Sequence, residues 1–184
     1  MKIQFDQFYN ELTTLVQSHI QIMEELKSKA EMKLNQKASA ESWSALECIE
    51  HLNRYGNFYL PEIENRIKNS SYSPENTFKS GILGNYFTNL IKPKEKLNKM
   101  KSPKNMNPLG SKLDSFILDT FLQQLHQTLI LLEESKAISL NKTKVSISIS
   151  KHLKLKLGDT FRFFIYHNER HLQQAIKTTS EIIM

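Results

Sequence analysis

Hydrophobic residues recur at helical spacing in four long stretches of this chain, and this pattern limits its fold more than any other feature. Spacings of three and four residues place side chains on one face of a helix. The stretches cover residues 5–33, 44–68, 113–135 and 159–182. In the third stretch, the apolar side consists of Leu113, Phe116, Ile117, Phe121, Leu125, Leu129 and Leu132. Four such helices predict an all-α bundle.

Two of these helices begin at recognisable N-terminal signals. Ser44 and Glu47 form a capping-box pattern, in which the serine oxygen accepts from the glutamate amide and the carboxylate accepts from the serine amide. Asp159, which follows Gly158, is the predicted N-cap of the last helix. Pro61 lies inside the second helix and predicts a local bend or weakening.

Two long connections separate the predicted helices. Residues 69–111 contain four prolines and three glycines, which exclude a helix across the whole stretch. A short amphipathic helix is expected near residues 78–90, and the connection is long enough to let the second and third helices run parallel. Residues 145–157 alternate apolar and polar side chains, which predicts an extended connection or a small ribbon packed on the bundle.

The length and cysteine content are those of an ordinary single-domain protein without disulfides. Its 184 residues predict a single domain over 1–184 that can bury a core without a disulfide or structural metal. Cys48 is the only cysteine, which excludes an intramolecular disulfide and favours a reducing compartment. No apolar run has the length of a signal peptide or membrane span. The expectation is a cytoplasmic protein without a membrane partner.

The net charge of +6 is concentrated in residues 92–104. This segment holds six lysines and one glutamate, and so carries +5 of the total. It contains no aromatic residue and none of the four arginines, which a specific nucleic-acid surface is expected to use. A solvated loop is the favoured interpretation, with phosphate or anionic-surface binding as the alternative. Nucleic acid is therefore not an expected partner.

Two histidines, His167 and His171, stand four residues apart in the last predicted helix. Both imidazoles can approach one point, because residues at this spacing lie one turn apart on the same face. Phe163, Phe164 and Ala175 fall on or beside the same stripe, so that point is apolar. Such imidazoles are either packed core residues or ligands to a divalent metal. The pair alone leaves both interpretations open.

A third histidine, His51, lies in the second predicted helix, one turn from Tyr55. Three histidines on the inner faces of two helices are a ligand set of catalytic zinc sites, which keep one position open. Through that position a metal can lower the pKa of water to about 7, or it can bind a thiolate. The three histidines are therefore candidate metal ligands, with ordinary packing as the alternative for each.

Other titratable residues near these histidines have simpler interpretations. Glu47 already has a capping role, and Glu50 and Glu169 turn away from the ligand face because each residue rotates a helix by about 100°. Cys48 is expected to be a buried thiol rather than a ligand.

Gln174 shares the helix face of the histidine pair, where it can hold a ligand or pack at the bundle edge. Tyr55 can donate a hydrogen bond to a bound substrate. The remaining histidines lack a partner at metal spacing and are expected at surface or boundary positions: His19, His126 and His152.

Two motifs resemble those of a known family. In the first (WSALECIEHL), Trp43 stands eight residues before His51, and in the second (HNERHLQQ), residues 167–174, a histidine pair precedes glutamine. Their order and spacing, in a chain of 184 residues, resemble the DinB-like superfamily across essentially the whole chain.

This resemblance implies both a fold and a site. The implied fold is an up-down-down-up four-helix bundle with a long crossover between the second and third helices, often found as a homodimer. The implied site is a divalent metal ion (Zn, Ni, Fe or Mn) held by His51, His167 and His171. The superfamily contains thiol S-transferases, proposed hydrolases and members without a known reaction, so fold-level analogy does not choose among them.

These patterns together predict a metal-dependent enzyme that uses a three-histidine open site on a small-molecule substrate. A thiol S-transferase with a low-molecular-weight thiol is slightly favoured over a hydrolase, because no acid or base completes a hydrolytic site. No catalytic residue is assigned, and no organic cofactor is expected. The alternative is a non-catalytic metal-binding or structural bundle that acts through dimerisation.

Overall fold

The computed structural model describes residues 1–93 and 101–180, and this part of the chain is mostly helical. This helix content confirms the predicted all-α class. Residues 94–100, in the middle of the lysine-rich segment 92–104, lie outside the described residues. The predicted end of the last helix at residue 182 also lies outside them.

Four long helices form most of the described structure: α1 Phe5–Lys27, α3 Ala45–Lys68, α5 Phe116–Glu134 and α6 Leu157–Ser180. Two shorter helices lie between them: α2 Glu31–Leu34 and α4 Ile82–Ile91. Both α1 and α3 pack against both α5 and α6. One continuous cluster of buried apolar side chains joins these four helices. The predicted apolar stripes therefore face a common core.

The first helix is shorter than its predicted extent to residue 33. The hydroxyl of Ser28 donates to the carbonyl of Glu25 over 2.7 Å just after α1 ends, and the backbone of Ala30 is extended. This break turns the chain into α2, where Leu34 is buried in the core. Helical spacing alone could not show that two helices share the stretch.

The second helix begins as predicted. The Glu47 amide donates to the Ser44 hydroxyl oxygen over 3.1 Å, and the Ser44 amide donates to the Glu47 carboxylate over 2.9 Å. The capping box is thus confirmed, and α3 continues through Pro61. In α5 the buried side begins at Leu118, whereas Phe116, which the periodicity assigned to that side, is 71% exposed at the helix start.

The last helix begins at Leu157, so Asp159 lies within its first turn and the prediction of an N-cap there is wrong. The amides of Leu157 and Gly158 donate to the carbonyls of Thr143 and Leu140, at 2.9 and 3.2 Å. These backbone acceptors satisfy amides that a capping side chain would otherwise serve.

The predicted ribbon at residues 145–157 is confirmed as an antiparallel hairpin. It consists of β3 Lys144–Ile147 and β4 Ser150–Lys156, and β4 runs directly into α6. Val145 pairs with Leu155, and the register shifts after Ser146. Both strands contact α6; β3 also contacts α3, and β4 also contacts α4.

A second ribbon has no counterpart in the sequence prediction. It pairs β1 Lys2–Gln4 with β2 Thr77–Lys79, each too short to show a period. Buried Phe78 therefore belongs to a strand, and the short helix expected from that point begins only with α4. Among the described residues, no helix is long and apolar enough to cross a membrane.

Candidate metal centre

Three histidines meet between α3 and α6. His51 lies on α3, and His167 and His171 lie one turn apart on α6. One nitrogen from each ring lies within 4.8 Å of the others, and the Nε2 atoms of His51 and His167 are 3.2 Å apart. The first two rings are buried and the third is partly buried. The structure thus brings together all three residues that the sequence singled out, in a cluster that can hold a metal ion.

Hydrogen bonds determine which nitrogen is free in two of these rings. The Nδ1 atom of His51 lies 2.7 Å from the backbone oxygen of Met106, and it must carry the proton because a carbonyl only accepts. The Nδ1 atom of His171 lies 3.0 Å from Oε1 of Gln174 and donates in the same way. In each neutral ring, Nε2 therefore has the free lone pair. Gln174 contacts a candidate ligand, one of the two roles left open by its position in the sequence.

The nitrogen separation fits a metal ion. Zinc–imidazole bonds of about 2.0–2.1 Å place two nitrogens of a tetrahedral site roughly 3.3 Å apart. The His51 and His167 Nε2 atoms are 3.2 Å apart. In the metal-free chain a proton on His167 Nε2 can bridge this pair as a hydrogen bond, and a cation can take the place of that proton.

Burial keeps the three rings neutral. It lowers the pKa of His51 to about 4, against the opposing effect of the hydrogen bond to Met106, and it lowers the pKa of His171 to about 3. The pKa of His167 lies well below its usual value because of burial and then of the two neighbouring imidazoles. Metal ions bind the neutral form of imidazole, so at neutral pH these rings are in the binding state.

Aromatic rings surround the cluster. The Tyr55 ring lies 4.3 Å from that of His167 between centroids, and Phe163 stacks on His167 at 5.8 Å. Burial raises the pKa of Tyr55 to about 12, so its hydroxyl stays protonated at neutral pH and can donate. The ring of Trp43, the one tryptophan of the chain, lies 4.7 Å from that of His51. Its fluorescence should therefore report on this site.

Residues 104–110 close one side of the cluster, a role that the sequence did not reveal. Besides the Met106 carbonyl, Asn107 accepts from the Trp43 ring nitrogen through its side chain over 3.1 Å. The Asn107 backbone oxygen accepts from the Arg54 guanidinium over 2.9 Å. A backbone carbonyl carries no residue-type signature, so no sequence motif could have identified the partner of the His51 ring.

The acids next to the ligand positions in the sequence are engaged elsewhere. Besides the capping box, Glu47 accepts from Lys37 over 2.6 Å and from the Gly110 amide over 2.7 Å. Glu50 pairs with Arg54 over 2.8 Å. These contacts support the interpretation of both acids as structural residues.

The remaining acid, the other three histidines and the cysteine differ in how deeply they are buried. Glu169 accepts from His19 over 2.7 Å, and this hydrogen bond lowers the pKa of the carboxyl. His19 is fully buried, so its predicted surface or boundary position is wrong, whereas His126 and His152 are exposed as predicted. Cys48 is a fully buried free thiol, as expected, and burial raises its pKa.

The family comparison covers nearly the whole chain. The family model of the DinB superfamily matches residues 4–175, a range that includes all three histidines and the 104–110 segment. Neither a curated protein nor a solved structure matches the chain significantly. The resemblance carried by the two sequence motifs is therefore confirmed: the chain belongs to the DinB superfamily.

Proposed function

We propose that His51, His167 and His171 bind one divalent metal ion, and that the protein is a metal-dependent enzyme acting on a small molecule. The observation that carries this proposal is the 3.2 Å separation of two Nε2 atoms in a buried cluster of neutral rings. Zn, Ni, Fe and Mn all accept imidazole ligands. Three protein ligands leave room for a further ligand.

A bound divalent cation would supply Lewis acidity, which lowers the pKa of a coordinated water or thiol. The protein side of the chemistry consists of holding the rings and excluding water. Met106 and Gln174 orient two of the imidazoles, and the rings of Tyr55 and Phe163 cover the third.

Transfer of a low-molecular-weight thiol is favoured over hydrolysis. Hydrolysis needs a base to activate water and an acid for the leaving group. Glu47, Glu50 and Glu169 are held by other partners, and Tyr55, whose hydroxyl is protonated at neutral pH, cannot serve as the base. A thiol whose proton passes to solvent on binding would displace a leaving group that departs as an anion, so this transfer needs neither a base nor an acid from the protein. A hydrolase and a non-catalytic metal-binding or structural bundle are the alternatives.

We further propose that α1, α3, α5 and α6 form an up-down-down-up four-helix bundle within one domain over 1–184. The contacts of α1 and α3 with both other helices support this arrangement, as does the long connection between α3 and α5. A homodimer in a reducing compartment such as the cytoplasm completes the proposal; the lone, unpaired Cys48 is compatible with that compartment.

Elemental analysis of protein purified without chelators tests the metal site. About one divalent ion per chain is expected, with loss in His51→Ala and His171→Ala. His126→Ala, which removes an exposed histidine of α5, is the matched control and should keep its metal. If the wild-type protein carries no metal and gains no thermal stability from Zn, Ni, Mn or Fe salts, the proposal is wrong.

Catalysis is tested separately, with the metal-loaded protein, a panel of low-molecular-weight thiols and 1-chloro-2,4-dinitrobenzene as electrophile. Thioether formation is expected to depend on the metal and to disappear in His167→Ala. Turnover that survives in this variant would contradict the metal role. Stoichiometric metal without turnover of thiols, or of ester and amide substrates, would support the non-catalytic alternative.

A further inference from the structure

An apolar chamber of about 40 Å³ lies beside the histidine cluster. Four aromatic rings from α3, α4 and α6 form one wall: Tyr55, Tyr59, Phe87 and Phe163. Four residues of the β3–β4 hairpin form the other: Ile147, Ser148, Ile149 and Leu155. None of these eight side chains carries a charge at neutral pH.

The chamber and the candidate metal centre share two walls. Tyr55 and Phe163 line the chamber, and both rings also contact His167, at 4.3 and 5.8 Å between centroids. A molecule whose polar atom is held at the histidines can therefore extend its apolar part past these two rings.

The hairpin wall is held in place by the opposite wall. The amide of Ser148 donates to the Tyr59 hydroxyl over 3.3 Å, and the two side-chain oxygens are 3.5 Å apart. Ile147 is buried, whereas Ile149 is 60% exposed at the tip. The hairpin thus engages the hydroxyl of Tyr59. The surface that faces the chamber is therefore mainly hydrocarbon.

We propose that this chamber, hereafter the hairpin pocket, binds the apolar group of the substrate, and that the hairpin tip sets how large this group can be. The inference rests on the proposed metal function, because that site supplies the polar end of the ligand. A volume of about 40 Å³ offers roughly three water-sized positions, which suits a chain of about three or four carbons. The ligand is therefore a small thiol with a short, uncharged alkyl tail.

A homologous series of primary alkanethiols tests the size rule on metal-loaded protein. Dissociation constants come from Trp43 fluorescence and from the thiolate-to-cobalt absorption of Co²⁺-loaded protein. Affinity should rise about fourfold for each methylene from ethanethiol to butanethiol, as expected for burying one such group, and then level off at hexanethiol. An equal affinity for all members in protein that holds its metal would overturn the pocket while leaving the metal site intact.

Two exposed isoleucines provide a matched pair of variants. Ile149→Ser removes hydrocarbon from the pocket wall, and Ile130→Ser changes a residue of α5 that is 58% exposed and does not line the pocket. Both should fold and keep equal metal content. The dependence of affinity on the length of the alkyl chain should weaken in Ile149→Ser only. An equal dependence in both variants would overturn the proposal that the hairpin limits the size of the apolar group.

Methyl NMR provides a readout that does not need the metal. In protein labelled at isoleucine δ1 carbons, butanethiol should shift the signals of Ile147 and Ile149 and leave that of Ile130 unchanged. The shifts should occur in both metal-free and metal-loaded samples, at a higher thiol concentration in the metal-free sample. These shifts in protein that cannot bind metal would sustain the pocket even if the metal proposal fails. Absence of shifts in both samples would overturn the pocket.

Discussion

At the scale of single residues, each of the three histidines is held by a different means. A backbone carbonyl fixes the His51 ring, a glutamine fixes His171, and neighbouring rings enclose His167. The Nδ1 atom of His167 is buried without a partner among the described residues. Of these supports, the hydrogen bond between His171 and Gln174 is the one that a side-chain substitution can remove cleanly.

Replacing Gln174 by alanine should therefore weaken metal binding roughly 10- to 100-fold, because the ring of His171 loses the acceptor that orients it. Gln174→Glu keeps an acceptor and should restore most of the affinity. Competition between the protein and a chelating dye for Zn²⁺ measures this. Gln173→Ala is the control, since this neighbour bonds Glu169 instead. Equal loss in the two alanine variants would argue against a positioning role for Gln174.

Acid should destabilise the metal-free protein before its carboxylates titrate. The histidines of the unfolded chain protonate near pH 6.5, whereas in the folded chain the pKa of His51 is about 4 and that of His171 about 3. Between these values the unfolded state binds more protons. Stability that is fully present above pH 6.5 is therefore lost as the pH falls, by about 1.4 kcal/mol per pH unit for each of these two rings.

Urea unfolding between about pH 7 and pH 4.5 measures this slope. His51→Gln should lower this slope, because the unfolded chain then binds one proton fewer. His126→Gln, at an exposed position, should leave it unchanged. A slope that is the same in all three proteins would mean that burial of the neutral His51 ring does not contribute.

At the scale of elements, the sequence predicted what long periodic patterns encode and missed what single contacts decide. The capping box at Ser44 and the hairpin at 145–157 follow from local patterns and are present. Buried His19 was also predictable, since it continues the spacing of Leu12, Val16, Met23 and Leu26 along α1. The three-residue strands and the start of α6 depend on distant backbone partners, which no local pattern shows.

A close contact between α4 and α6 leaves no room for a side chain at Gly84. A Cβ on Gly84 would lie 2.2 Å from Cγ and 2.4 Å from Cβ of Asp159, whose carboxylate accepts from the Gly81 amide and the Ser80 hydroxyl. Glycine to alanine within a helix normally stabilises by up to about 1 kcal/mol. Here the overlap involves an atom next to the backbone, and overpacking of about 1–3 kcal/mol should outweigh this gain.

Gly84→Ala should therefore lower the free energy of unfolding, which urea denaturation measures. Asn89→Ala, at an exposed position of the same helix, isolates the helix propensity and should be neutral or slightly stabilising. If the two variants were equally stable, the packing of α4 on α6 would be looser than these distances require.

At the scale of the whole molecule, the candidate centre exists only when distant parts of the chain have come together. His51 and His167 are separated by 116 residues in sequence, and the carbonyl that orients the His51 ring comes from a third segment, 55 residues away. The motifs could reveal the ligand types, because histidine spacing is written in the sequence. They could not reveal the walls of the hairpin pocket, which combine residues of α3, α4, α6 and the β3–β4 hairpin.

This arrangement would couple binding of the proposed metal ion to the stability of the whole fold. An ion that binds the folded chain and not the unfolded one stabilises it by RT ln(1 + [L]/Kd), or about 2.7 kcal/mol at a free concentration of 100 Kd. For a chain of this size each kcal/mol raises Tm by about 2–4 °C, so an increase of roughly 5–11 °C is expected. Scanning calorimetry with and without Zn²⁺ measures it, and His51→Ala should abolish the increase while His126→Ala should retain it. An increase that persists without His51 would place the ion elsewhere, because that ring contributes the one candidate ligand from α3 and thus the link between the two halves of the sequence.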